Sequence, residues 1–357
     1  MMQQDNPYKD NPYKAGMLFD ERFLLNKFIG EGTFGEVWQA TDQWTKLDVA
    51  IKIYKPLNAQ DSNSFLKEFQ VAFELNHSNL LHATHLSICK NENNQSPYLV
   101  MPYCPEGSVA KLIGKMTEEQ MWEFIADVAS GLAYLHRQHT PIIHQDIKPG
   151  NILIAKTGEY VITDFGISLQ LRKTLTNTSG RLTSAGSIAY MGPERWSKHP
   201  VPVKASDIWS LGATIYELLV NDLPFCGEGG GMQKSGAEMP DLPEEFSKEL
   251  NMVMQSCMAL ETWDRPTAEQ LADYARRKTK GESPKPTWKV PAEEPSVTPA
   301  KPVQPQTPTP KKENKPNDVR KKKQIKKKDN EWISWVILIV AALAMGAVAA
   351  WIITMKQ

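Results

Sequence analysis

The chain has 357 residues, 41 Lys/Arg against 41 Asp/Glu, and a 41% hydrophobic content that suffices for a large packed core. The neutral total hides an asymmetry: residues 311–328 carry ten Lys/Arg against Glu313 and Asp318, a local +8 that the rest of the chain balances with −8. Cys89, Cys104, Cys226 and Cys257 have no paired spacing, which excludes a disulfide framework or a cysteine-zinc site and points to a reducing compartment, and the polar start MMQQDNPYKDNPYKAG lacks the apolar stretch of a secretory signal.

Residues 5–14 are a tandem DNPYK, too short and polar to bury a core, so residues 1–19 are expected to form a disordered leader. Apolar periodicity then predicts strands over Phe23–Ile29, Glu36–Thr41, Asp48–Tyr54 and Tyr98–Met101, with a helix over Ser64–Leu75. After Gly107 the pattern is mainly helical, and Glu118–His136 is the longest amphipathic stretch. The expected architecture is α+β: a small β-rich lobe followed by a larger helical one, together spanning residues 20–278.

Beyond residue 278 a Pro falls every few residues, then a Lys-rich run follows, so 279–331 reads as an extended linker. Residues 332–355 contain no charge, and at about 1.5 Å per residue they span the roughly 30 Å hydrocarbon core of a bilayer. Trp332, Trp335 and Trp351 lie near the two ends, where indoles favour the interface. This segment predicts a single membrane helix, with only Lys356 and Gln357 after it, and therefore insertion after translation. The basic run Arg320–Lys328 keeps the N-terminal side cytoplasmic. Ala342, Gly346 and Ala350 form a small-residue stripe that predicts a homodimer through this helix.

Chemistry concentrates in four clusters. Gly30-Glu31-Gly32-Thr33-Phe34-Gly35-Glu36-Val37 lies between two predicted strands, where glycines let backbone amides approach phosphate oxygens. Lys52, in Val49-Ala50-Ile51-Lys52 and 22 residues after Gly30, is flanked by apolar residues that aim it into a cleft. A carboxylate must hold it: Glu68 shares the packing face of its helix with Phe65 and Ala72, whereas Glu74 aligns with Lys67 and Gln70, so Glu68 is the expected partner. The third cluster is His144-Gln145-Asp146-Ile147-Lys148-Pro149-Gly150-Asn151, and the fourth is Asp164-Phe165-Gly166. Phosphoryl transfer needs oxygens for metal, cations on the phosphates and a carboxylate aimed at the attacking hydroxyl. Asp146 fits the last role, Asn151 and Asp164 the metal, and Lys52 with Lys148 the phosphate charge.

These motifs, in this order, resemble the eukaryotic-type (Hanks-type) Ser/Thr protein kinase family. Gly192-Pro193-Glu194, Asp207–Gly212 and Asp264-Arg265-Pro266 extend the resemblance over about residues 20–278. It implies a two-lobed kinase fold, ATP and Mg2+ as cofactors, an ion pair of Arg265 with Glu194, and Asp207–Gly212 as a buried anchoring helix. It also implies that Met101 is the gatekeeper, that Pro102 contributes its carbonyl and Cys104 its amide to adenine, and that Ile29, Val37, Ala50 and Leu153 enclose the base. Lys148, two residues after Asp146, marks the Ser/Thr class. Gln145 stands where the family commonly has Arg, so the charged pair through which a phosphorylated activation segment is ordered is not expected here. The expected function is therefore a membrane-anchored ATP-dependent Ser/Thr protein kinase acting on proteins, with no nucleic acid partner. The alternative is a membrane-bound pseudokinase scaffold, which the presence of Lys52, Glu68, Asp146, Asn151 and Asp164 opposes.

Overall fold

A computed structural model describes residues 12–32, 35–56, 73–91, 94–164, 188–197 and 201–291. The N-terminal part is an antiparallel sheet of β1 (Leu18–Phe19), β2 (Phe23–Gly32), β3 (Gly35–Asp42), β4 (Asp48–Tyr54), β5 (His85–Asn91) and β6 (Asn94–Pro102), in the order β1-β2-β3-β4-β6-β5. Alternation along β4 sorts its side chains. Ile51 and Ile53 join Phe19, Phe23, Leu25, Trp38, Tyr98 and Val100 in an apolar cluster on one face of the sheet. Ala50 and Lys52, one position off, belong to the other face, since successive strand residues point to opposite sides.

The C-terminal part is built on α1 (Glu118–His136), α2 (Lys204–Val220), α3 (Gly230–Lys234), α4 (Lys248–Cys257) and α5 (Ala268–Thr279), with a hairpin of β7 (Ile152–Ile154) and β8 (Tyr160–Ile162). Thr117 and Gln120 cap α1 reciprocally, and its buried Met121, Phe124, Ile125, Val128, Leu132 and Leu135 recur every three or four residues. Helix α2 is buried on nearly every side, with Asp207, Trp209, Leu211, Ile215 and Leu218 all inaccessible, and α1 packs on α5 while α2 packs on α4. One β-rich lobe and one helical lobe are joined at Pro102–Cys104.

The predicted α1 and β4 match the observed bounds, and the other predicted strands are extended at their ends. Strand β5 was not anticipated. Its sequence HLSICKN mixes polar and apolar residues without clean alternation, and pairing with β6 supplies what local pattern does not. The expected leader over 1–19 is corrected at its end: Tyr13 is buried against Phe19, and Leu18–Phe19 form β1. The linker expected from residue 279 is corrected too. Trp288 packs edge-on against Tyr274 at 5.2 Å, and Gln270 Nε2 donates to Thr287 O at 2.9 Å, so the chain stays on the helical lobe past α5. The remainder of that linker, the membrane segment 332–355 and the helix over 64–72 with Glu68 lie outside the described residues. Among the described residues, no helix is long and apolar enough to cross a membrane.

Candidate active site

Strand register brings the first two clusters together. Gly30 pairs with Val37, Val37 with Lys52, and Lys52 with Leu99, one row across four strands, while Ala50 pairs with Met101 two residues along. A β-bulge between Phe28 and Gly30 leaves Ile29 without a partner opposite, and its side chain is exposed beside the glycine loop. Glu31 and Gly32, at the end of β2, pair with Glu36 and Gly35. The glycines differ in what they do. A Cβ on Gly30 would meet nothing within 4 Å, so that position is open to an approaching ligand. A Cβ on Gly35 would lie 2.0 Å from Ile53 O, so strand pairing by itself requires a glycine there, whatever its part in ligand approach.

The base-enclosing positions gather at the junction of the lobes. Met101, Cys104, Leu81 and Val161 are buried in one apolar cluster against which Leu153 packs. Pro102 ends β6 opposite Val49 in β4, and the neighbouring strand β5 reaches only to Val100, so a residue without an N–H breaks no ladder there.

Lys52 Nζ lies 2.5 Å from Asp164 Oδ1, with the lysine side chain 9% and the aspartate 31% exposed. Asp164 adopts φ +63°, a left-handed conformation that costs about 1–3 kcal/mol in a non-glycine residue and is common at functional sites. Asp146 receives Lys148 Nζ on both carboxylate oxygens at 3.0 Å, and Asn151 Nδ2 on Oδ2 at 2.8 Å. Asn151 also donates to Asp146 O at 2.8 Å, and its own carbonyl accepts from Thr163 N at 3.0 Å, which ties the third cluster to the fourth.

The loop carrying Asp146 is fastened from below. Asp207, fully buried in the first turn of α2, accepts from His144 N at 2.9 Å, from Gln145 N at 2.8 Å and from His136 Nε2 at 2.8 Å. Those bonds hold Gln145 at φ +67°. His144 spans the two loops: its Nε2 lies 2.9 Å from Thr163 O, and Asp146 N donates to its Nδ1 at 3.3 Å, a pattern that one neutral tautomer satisfies. Sequence reasoning had assigned no role to His136, His144 or Thr163. The signal of His136 and His144 is a buried polar side chain next to a catalytic cluster, visible only once burial is known, whereas Thr163 acts through its backbone carbonyl and N–H.

Arg265, with an inaccessible side chain, donates to Glu194 Oε2 at 2.8 Å and to the carbonyls of Ala259, Ala205 and Leu260. Burial pushes the Glu194 carboxyl up, but the hydrogen bond and charge of Arg265 outweigh it and hold that carboxyl below its ordinary value. Beside this pair, Arg195 Nη1 donates to Gln145 Oε1 at 3.4 Å. A cation therefore stands next to the neutral residue that replaces the usual arginine.

Residues 23–275 match the model of the protein kinase domain. The chain belongs to the protein kinase family. The kinase is 31% identical over 256 residues, 69% of its length, to a probable serine/threonine-protein kinase of Dictyostelium discoideum, of which it covers 38%. It is 33% identical over 262 residues, 70% of its length, to mitogen-activated protein kinase kinase kinase 3 of Arabidopsis thaliana, covering 41%. Over 214 residues, 58% of its length, it is 32% identical to the serine/threonine-protein kinase PknB of Mycolicibacterium smegmatis, covering 34%. The chain thus spans less than half the length of each of these relatives.

Proposed function

We propose that the kinase transfers the γ-phosphoryl group of ATP to Ser and Thr hydroxyls of proteins, with Mg2+, from a position anchored to a membrane. The observation that carries the transfer reading is the convergence at one cleft of Lys52, Asp164, Asn151, Asp146 and Lys148, drawn from three separate segments, β4, the loop over 144–151 and the turn after β8. The donor set fits a magnesium nucleotide: a hard cation takes oxygen ligands, and Asp164 has a carboxylate to offer while Asn151, whose Nδ2 is committed to Asp146, offers its amide oxygen. When bound, ATP with magnesium supplies the transferable phosphoryl group and neutralises its charge. Lys52 would supply positive charge to phosphate oxygens, and Asp164 would offer its carboxylate to the cation. Ala50, Met101 and Leu153 hold the base, and Ile29 and Val37 cover it. Asp146, aimed by Asn151 and by the His144 amide network, accepts the proton of the attacking hydroxyl, and Lys148 balances charge on the phosphoryl oxygens. Glu68 is the proposed partner of Lys52 in the active state. The deciding experiment is autophosphorylation and transfer to a generic protein substrate with radiolabelled ATP. Asp146→Asn and Lys52→Met should abolish incorporation into Ser and Thr while leaving nucleotide-free thermal unfolding close to wild type. Wild-type incorporation by Asp146→Asn would remove the enzymatic reading in favour of a binding scaffold.

The membrane reading rests on the sequence of 332–355, 24 residues without a charge, preceded by the basic run Arg320–Lys328. The catalytic domain then faces the cytosol, where ATP is, with the lipid bilayer as a partner and the Ala342, Gly346, Ala350 stripe available for homodimerisation. Alkaline extraction should leave the full chain in the membrane pellet. Protease added to sealed vesicles with their cytosolic face inward should spare the kinase domain, and digestion there would refute the orientation.

A further inference from the structure

Residues 188–193 stand beside the catalytic loop, and a glycine run holds them there. Arg195, two residues further on, donates to Gln145 Oε1 at 3.4 Å. Burial, then Glu217, then the charge of Asp146 push the Tyr190 hydroxyl far up, which places Tyr190 near the catalytic carboxylate. Tyr190 is secured from α2, where Ser210 Oγ donates to its carbonyl at 2.6 Å and Glu217 accepts from its hydroxyl. Gly229 and Gly230 lie against the same segment backbone to backbone. Gly230 N donates to Met191 O at 2.8 Å. A Cβ on Gly229 would lie 2.5 Å from Ile188 O, and one on Gly230 would lie 2.2 Å from Pro193 N and 2.5 Å from Gly192 C. No side chain fits between the two segments.

The turn that delivers these glycines is strained. Phe225 and Cys226 both take φ +54°, and Gly229 combines φ +56° with ψ −150°, a pair that glycine alone adopts readily. Such geometry persists only where the surroundings overdetermine it. Here Phe225 stacks on Trp209 at 6.1 Å, Trp209 Nε1 donates to Gln233 Oε1 at 3.0 Å, and Gln233 Nε2 donates to Met258 O at 2.7 Å, so both ends of the glycine run are pinned to the core of the helical lobe. We infer that Gly229 and Gly230 are positioning residues for the protein substrate: they set where residues 188–193 stand beside Asp146, and so where a polypeptide lies when its hydroxyl reaches that carboxylate. This deepens the transfer reading above and rests on it. A Cβ at Gly230 would force the two segments apart by more than about 1 Å before ordinary contact is restored, and a misplacement of that size costs up to about a hundredfold in rate.

The test is steady-state phosphorylation of dephosphorylated casein by the detergent-solubilised full chain. Gly230→Ala should lower kcat/KM for casein by about tenfold to a hundredfold, and it should leave the affinity for ATP with magnesium, read by nucleotide titration, within about twofold of wild type. Gly236→Ala controls for a merely structural effect. Gly236 takes φ +95° with nothing within 4 Å of a Cβ, so the variant should lower the melting temperature and keep kcat/KM within about twofold. Gly231→Ala decides the matter if Gly230→Ala does not fold. Its Cβ would first meet the Trp196 ring, at 3.0–3.1 Å, so kcat/KM should fall by about threefold, and the loss should vanish when Gly231→Ala is compared with its parent in a Trp196→Ala background. Transfer by wild type with an unchanged kcat/KM in Gly230→Ala would overturn the inference and leave the transfer reading standing. So would a loss that Gly236→Ala reproduces, a parallel loss of ATP affinity, or a Gly231→Ala loss that persists without the Trp196 ring. Absence of transfer by wild type would instead remove the transfer reading, and the inference with it.

Discussion

Removing the Asp207 carboxylate tests whether the catalytic loop is held by the helix beneath it. In the folded protein its two oxygens take three donors, two of which are consecutive backbone amides, His144 N and Gln145 N. The side chain is inaccessible, so Asp207→Ala leaves those amides without acceptors. An unsatisfied buried donor costs about 1–3 kcal/mol, which puts the loss for the two amides at about 2–6 kcal/mol. Asp207→Asn keeps one oxygen and turns the other into a donor facing a donor, so it should cost about half as much. At about 2–4 °C per kcal/mol for a domain of this size, the Ala variant should unfold roughly 5–20 °C below wild type, with the Asn variant between them. Differential scanning fluorimetry without nucleotide reads this directly. An Ala variant that melts within about 3 °C of wild type would refute the reasoning, since water would then be replacing the carboxylate and the φ +67° conformation of Gln145 would be held by something else.

Gly35→Ala should destabilise the β-rich lobe, because its Cβ would collide with Ile53 O, whereas Gly30→Ala should keep the melting temperature and change only the KM for ATP; swapped phenotypes would reverse the roles given to the two glycines. Replacing Thr174, Thr176, Thr178, Ser179, Thr183 and Ser184 together by Ala should lower kcat/KM by no more than about tenfold, because Gln145 offers a phosphate no charge. A hundredfold loss restored by an acidic residue, and absent in an Arg195→Ala background, would assign to Arg195 the part of the missing arginine. Arg22 donates to both carboxylate oxygens of Asp42, at 2.9 and 2.7 Å, and holds that carboxyl well below its ordinary value of 3.8. A lowered folded value means stability that is present above 3.8 and lost as pH falls toward the folded value, so the stability gap between wild type and Asp42→Asn should be widest near neutrality and close in acid. Denaturant titrations at several pH values check it, and a gap independent of pH would count against the ion pair.

Much of the site was legible in one dimension because its parts are chemically specialised and each lies in a short run. Phosphate charge, metal oxygens and a proton acceptor need particular residue types, and Lys52, Asp146, Lys148, Asn151 and Asp164 announce themselves by type and local company. The same holds for α1, whose spacing of apolar residues and reciprocal Thr117–Gln120 cap are local facts, and for β4, whose run of branched and apolar residues needs no partner to be recognised. Tertiary structure decided what depends on contact between distant segments. It set the register that aligns Gly30, Val37 and Lys52, and the close approach of Ile53 O that requires a glycine at position 35. It also placed Asp207 under two amides 62 and 63 residues away, and closed Tyr13 into the sheet of the β-rich lobe. The physical reason is common to all four. A hydrogen bond or a buried ring stabilises only when its partner is within reach, and that partner is chosen by the packing of the whole lobe, which no local run of residues encodes.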